Sequence, residues 1–133
     1  TPATIYNYPE TEFVAQFVGQ LNLIPATDID PVKGTCKIAG QAVKFEPMPN
    51  RPVSEKPRLA IRPEEVHIGG GEERNTLNGR VESVLFLGSV VRLRINVGGD
   101  LFSADFFNER NLTLPRAGDD VVISFPEHSC WLV

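Results

Sequence analysis

The sequence predicts an all-β fold, a small antiparallel barrel or sandwich, with one short helix near its start. Three observations predict it. From residue 21 onward helical periodicity disappears, and short apolar runs are broken at close intervals by Gly, Pro, Asn and Asp. The run Val90–Val97 alternates strictly, with Val91, Leu93, Ile95 and Val97 on one face and Arg92, Arg94 and Asn96 on the other, which is the two-residue period of a half-buried strand. Short turn signals, Gly88-Ser89 and Gly98-Gly99-Asp100, stand where consecutive runs would reverse.

Composition narrows the function classes. A chain of 133 residues is long enough for one ordinary domain or two very small barrels. With 41% hydrophobic and 23% charged residues it has the make-up of a folded globular chain, which argues against disorder. No apolar run approaches the roughly 18 residues that span a bilayer, and Thr1-Pro2-Ala3-Thr4 lacks the basic and apolar parts of a secretion signal, so a cytosolic location is expected. A formal net charge of -4 leaves no excess of cations to neutralise phosphates, so nucleic-acid binding is not expected.

The first element is the short helix, over 9–19. Phe13 and Phe17 are one helical turn apart with Val14 and Val18 beside them, Pro9 suits a first turn, and Gly19 suits the position past the end. The stripe packs either on the core or against a neighbouring domain. Strands follow at 21–29, 35–38, 41–45 and 58–61, with a short continuation at 66–68. Between them, 46–57 carries Pro47, Pro49, Pro52 and Pro57, which lack the backbone donor a central strand needs, so it is a surface loop. Gly69-Gly70-Gly71 is either a hairpin connection or the seam between two sub-barrels. No Lys with Ser or Thr follows at phosphate-loop spacing, which weighs against nucleotide binding there. The second half reads as an antiparallel meander of 77–87, 90–97, 101–107, 121–125 and 129–133.

No constellation announces catalysis. Ser129 beside His128 is no nucleophile and base pair, because adjacent strand residues point to opposite faces. Asp119-Asp120 and Glu64-Glu65 read as solvated turn charges rather than an acid/base pair. Cys36 and Cys130 stand in no ligand spacing and read as ordinary reduced thiols, and neither His67 nor His128 has a second ligand at helical or hairpin spacing, so no metal is predicted. Arg80, Arg92 and Arg94 on one face with Phe86 nearby form a miniature of a nucleic-acid platform, but exposed strand faces commonly carry arginine for solubility.

The assembled segments resemble the region that follows the ATPase domain in the ATP-binding subunits of bacterial ABC importers of the maltose, polyamine, iron and sulfate group. Phe13-Val14-Ala15-Gln16-Phe17-Val18-Gly19-Gln20-Leu21-Asn22 is similar to the family's F-V-A-x-F-[IV]-G-x-x-N signature, and Ile61-Arg62-Pro63-Glu64-Glu65-Val66 resembles its [IV]-R-P-E-[DE] motif. Gly79-Arg80-Val81-Glu82-Ser83-Val84-Leu85-Phe86-Leu87-Gly88 resembles the G-x-V-x-x-V-x-F-L-G motif of the transport-associated OB module, TOBE. The motif positions carried over, as structural residues, are Phe13, Phe17, Gly19, Asn22, Arg62, Pro63, Glu64, Gly79, Val81, Val84, Phe86, Leu87 and Gly88.

The resemblance implies OB-fold-like antiparallel barrels of the TOBE type. Residues 1–20 would leave a preceding ATPase domain, 21–70 form a first OB-like sub-barrel, and 71–133 form the TOBE module, intertwined with the first. It implies a non-catalytic regulatory and dimerisation region whose parent is an ATPase that energises uptake of polyamine, iron or a related solute. The phosphate loop, signature segment and switch histidine belong to the missing domain, together with ATP and Mg, and no cofactor is expected in this chain. The implied partners are a second copy of the subunit, the membrane permease subunits reached through the parent, and a small-molecule or protein regulator. The implied location is cytoplasmic, peripheral to the inner membrane. Phe107 and Trp131 are candidate interface residues, the alternative for both rings being the barrel core. A competing reading is a free-standing OB-type module that binds a small oxyanion or single-stranded nucleic acid.

Overall fold

The computed structural model describes residues 21–49 and 52–133. The helix expected over 9–19, with Phe13, Phe17 and Gly19, lies outside the described residues. The rest is strand. In chain order these are β1 (Asn22–Pro25), β2 (Thr27–Asp30), β3 (Thr35–Ile38), β4 (Gln41–Lys44), β5 (Arg58–Ile61), β6 (His67–Ile68), β7 (Arg74–Leu87), β8 (Val90–Val97), β9 (Asp100–Phe107), β10 (Asp120–Pro126) and β11 (Cys130–Leu132). Single turns of 3-10 helix at Pro63–Glu65 and Glu127–Ser129 precede β6 and β11.

Three antiparallel sheets share one core. Their strand orders are β1-β5-β11, β2-β3-β4 and β6-β10-β7-β8-β9. Ile24 of the first, Ile38 and Val43 of the second, and Leu77, Leu93, Phe102 and Phe125 of the third all belong to a single cluster of buried side chains. The sequence pattern accounts for the third sheet directly. Val91, Leu93, Ile95 and Val97 are fully buried while Arg92, Arg94 and Asn96 keep partial exposure, as period-two alternation requires when one face meets the core. Gly88, at φ +73°, opens the two-residue turn between the paired Leu87 and Val90. A positive φ at the first turn position is what the right-handed twist of a hairpin demands.

The structure departs from the sequence reading chiefly in two places. Residues 21–29 are not one strand: the chain changes sheet at the buried Ala26, whose N–H donates to the Pro57 carbonyl at 3.1 Å, so β1 pairs with β5 and β2 with β3. Nor is the second half a simple meander. β7, β8 and β9 follow one another, but β10 returns across the sheet to pair with β7 on the side away from β8. The glycine run 69–71 lets the chain step over β10, because β6 and β7 flank that strand, with Ile68 and Leu77 both opposite Ile123.

Two chain crossings tie the sheets together. β5, from the first half, is the central strand between β1 and the C-terminal β11, and its Leu59, Ala60 and Ile61 are completely buried. β6 in turn joins the sheet built by β7 to β10.

Candidate functional site

The Asn22 carboxamide bridges two sheets. Its Nδ2 donates to the Ser103 carbonyl at 2.8 Å and its Oδ1 accepts from the Ser103 N–H at 2.7 Å, so one buried side chain replaces a strand at the outer edge of β9. The 3-10 turn Pro63–Glu65, preceded by the extended Arg62, packs against β9, with Pro63 buried and the Arg62 guanidinium 3.7 Å from Glu65. Partial burial raises the Glu64 carboxyl above its usual range, and the negative charges of Asp105 and Glu65 push the same way.

Gly79 sits where β7 crosses the end of β8. A Cβ there would lie 2.8 Å from the Asn96 carbonyl oxygen and 2.9 Å from Ile95 Cγ2, so only glycine lets the strands close. Val81 is buried and Val84 packs against the core from its edge. Phe86 and Leu87 instead point into solvent at the end of the β7–β8 hairpin, 67% and 48% exposed. Phe107, directly across β8 from Leu87 in register, is 75% exposed, whereas Trp131 is partly buried on β11 with its indole N–H lacking an acceptor. Phe86, Leu87 and Phe107 thus gather exposed apolar surface at one end of the long sheet.

A cleft of about 430 Å³ opens beside that end, lined by Glu64, His67, Asp105, Phe106, Phe107 and Leu112 among others. Asp105, one of the lining residues, is held by a two-point pair with Arg92, at 2.7 and 2.8 Å, both side chains largely buried. The hydrogen bond to Asp105 raises the Arg92 pKa, against an opposing effect of burial. Arg80 and Arg92 do not contribute to a free basic platform: Arg92 is committed to Asp105, and Arg80 lies 3.1 Å from Asp120.

No group of three or more His, Cys, Asp or Glu side chains is placed to hold a metal among the described residues. Ser129 Oγ donates to the Pro126 carbonyl at 2.7 Å within its own turn and is buried, so it does not face His128 as a nucleophile would. Both cysteines are free and buried. Burial drives their thiols up, Cys36 to about 11 and Cys130 to about 12, where they are protonated and inert at neutral pH.

Sequence reasoning missed Asn75. It is buried on β7, and its carboxamide takes the Lys44 N–H and gives a hydrogen bond to the Lys44 carbonyl, both at 2.7 Å. An isolated Asn near the start of a strand carries no local signal of that bridge, since Lys44 is 31 positions away.

Comparison with known proteins gives consistent likenesses. The sequence pattern of the TOBE domain matches residues 59–133. The spermidine/putrescine import ATP-binding protein PotA of Rubrobacter xylanophilus is 33% identical over 99% of this chain and 36% of its own length. The Fe(3+) ions import ATP-binding protein FbpC of Rhizobium etli is 30% identical over 100% of this chain and 37% of its own length. The sulfate/thiosulfate import ATP-binding protein CysA 2 of Chromobacterium violaceum is 38% identical over 74% of this chain and 26% of its own length. The chain thus spans about a third of the length of these relatives. Among solved structures, the cytoplasmic molybdate-binding protein ModG superposes with a TM-score of 0.58 at 11% identity, covering 85% of this chain and 94% of that one. That likeness is one of fold.

Proposed function

The chain belongs to the TOBE-domain family, and from that premise we propose that it is the C-terminal, non-catalytic regulatory and dimerisation region of the ATP-binding subunit of a bacterial ABC importer. The observation that carries the reading is the likeness to importer ATP-binding subunits across essentially the whole chain. On this reading ATP and Mg are bound and hydrolysed by an ATPase domain that precedes residues 1–20, and the solute moved is a polyamine, iron or a related species. Residues 21–70 serve as one sub-barrel and 71–133 as the TOBE module, with β6 and β11 as the strands exchanged between them. The partners are a second copy of the subunit, the permease subunits and a regulator, and the location is the cytoplasmic side of the inner membrane. Asn22, Pro63, Gly79, Val81 and Val84 act in packing and in bridging strands, which supports a structural rather than a chemical role for them.

The test is an immunoblot of source-cell extract with antibody against this chain. A band far heavier than 14.7 kDa that sediments with membranes is expected. A soluble band at the chain's own mass would favour the second reading, a free-standing OB-type module for a small oxyanion, which the fold likeness to a molybdate-binding protein supports. Calorimetric titration with molybdate, sulfate and an oligonucleotide addresses that alternative directly, and absence of heat with all three removes it.

A further inference from the structure

Strand β7 changes partner halfway. Its first half pairs with β10 through Arg80, and its second half, from Arg80 to Leu87, pairs with β8. Each half therefore leaves one edge without a strand, and the two edges are treated differently. On the first half, the Gln41 side chain closes the edge: its Oε1 accepts from the Asn78 N–H at 2.9 Å and its Nε2 donates to the Asn78 carbonyl at 3.3 Å. The outer edge of β9 is closed in the same manner by Asn22, and that of β4 by Asn75. On the second half nothing comparable happens. The last main-chain bonds on the β10 side are Val81 N–H to Asp119 and Gly118 N–H to Val81, at 2.9 and 2.7 Å, and no described residue other than those of β8 pairs with 83–87.

The open edge is also undefended in composition. The β7–β8 pairing carries a register shift between Val81 and Ser83, just past Arg80, the last β7 residue paired with β10, and from Ser83 to Val91 the sequence contains no charge and no proline. Leu85, Phe86 and Leu87 flank the edge at 39%, 67% and 48% exposure. Solvent-facing edges in monomeric proteins ordinarily carry lysine, proline or a covering segment.

We propose that this edge is the seam between two copies of the chain, with β7 pairing antiparallel to β7 of the second copy across a two-fold axis, so that the two five-stranded sheets run on as one. An open edge needs another strand edge as its partner, and a two-fold axis supplies one identical to itself. Self-pairing sets each residue of the run against another from the same run. An uncharged run therefore meets no like-charge opposition, and it offers no charges by which a polar partner would select it. The inference rests on the dimerisation reading above and adds the surface.

Sedimentation velocity of the 133-residue chain over a range of concentrations tests it. The unaltered chain is expected to form a dimer. Phe86→Lys with Leu87→Lys places lysines on both sides of the axis and is expected to weaken the dimer roughly tenfold or more. Val32→Lys, a change at a comparably exposed apolar side chain (64%) in the turn between β2 and β3, is expected to leave the dimer as it was. Mixing Phe86→Lys with Phe86→Glu chains is expected to restore association. Circular dichroism checks the fold of each variant; if the double variant unfolds, the single Phe86→Lys change decides. A folded variant that still dimerises like the unaltered chain overturns the seam and leaves the dimer standing, whereas an unaltered chain that stays monomeric at the highest concentration overturns both.

Discussion

Asn22 and Asn75 show how much a single carboxamide can do when both of its ends are used. Each donates to one backbone carbonyl and accepts from the N–H of the same residue, Ser103 and Lys44 respectively. Each is buried, so removal leaves two polar backbone groups without partners, a loss far larger than that of an exposed hydrogen bond. Replacing Asn22 by Ala is expected to lower stability by about 1–3 kcal/mol, read as a drop in the urea midpoint with an unchanged slope. Amide exchange at Ser103 should rise with it. A unchanged midpoint would show that the bridge contributes nothing. Asn22 stood out in the sequence only as a motif position, and Asn75 not at all, because the pairs they form span 81 and 31 positions.

The elements repeat this division between local and distant causes. β8 was legible from alternation alone, and β9 from Phe102, Ala104 and the turn at Gly98-Gly99. β7 was legible from residue 77 onward but begins at Arg74, since its first residues are polar and are held by partners elsewhere: Arg74 donates to Ser124 Oγ at 2.9 Å and to the Ser124 carbonyl at 3.0 Å. Where β7 and β8 first meet, glycine is required by contact rather than by φ. Gly79→Ala drives a methyl group against the Asn96 carbonyl and the Ile95 and Val97 side chains. Overpacking of this kind costs about 1–3 kcal/mol, and here it should loosen the β7–β8 pairing locally. Thermal unfolding combined with exchange protection along β8 would show it. Equal stability with normal protection would mean that the strand shifts without cost.

At the scale of the whole molecule, one core joins the three sheets, and the two thiols report on its integrity. Cys36 on β3 and Cys130 on β11 have pKa values raised from 9.0 to about 11 and about 12, chiefly by burial. In the unfolded chain the thiols ionise from about pH 9, while in the folded chain they stay protonated up to the higher values. Their contribution to stability is therefore fully present below pH 9 and is lost as pH climbs toward 11 and 12. The urea midpoint should fall across that window, and Cys130→Ala should flatten the fall whatever it does to stability at neutral pH. A decline of the same steepness in the variant would assign the alkaline loss to other groups.

By itself the sequence determined the all-β class, the hairpin turns and the buried faces of β8 and β9, because alternation and turn chemistry are properties of neighbouring residues. It also carried the uncharged run 83–91 in plain view. Only the tertiary structure decided that the chain changes sheet at Ala26, that β10 crosses back to β7, that β5 lies between β1 and β11, and that the run along β7 is left without a partner. Those outcomes depend on which edges remain once every strand has found its neighbour. Strand pairing joins residues far apart in the chain, and no local pattern records whose edge will be taken and whose will be left open.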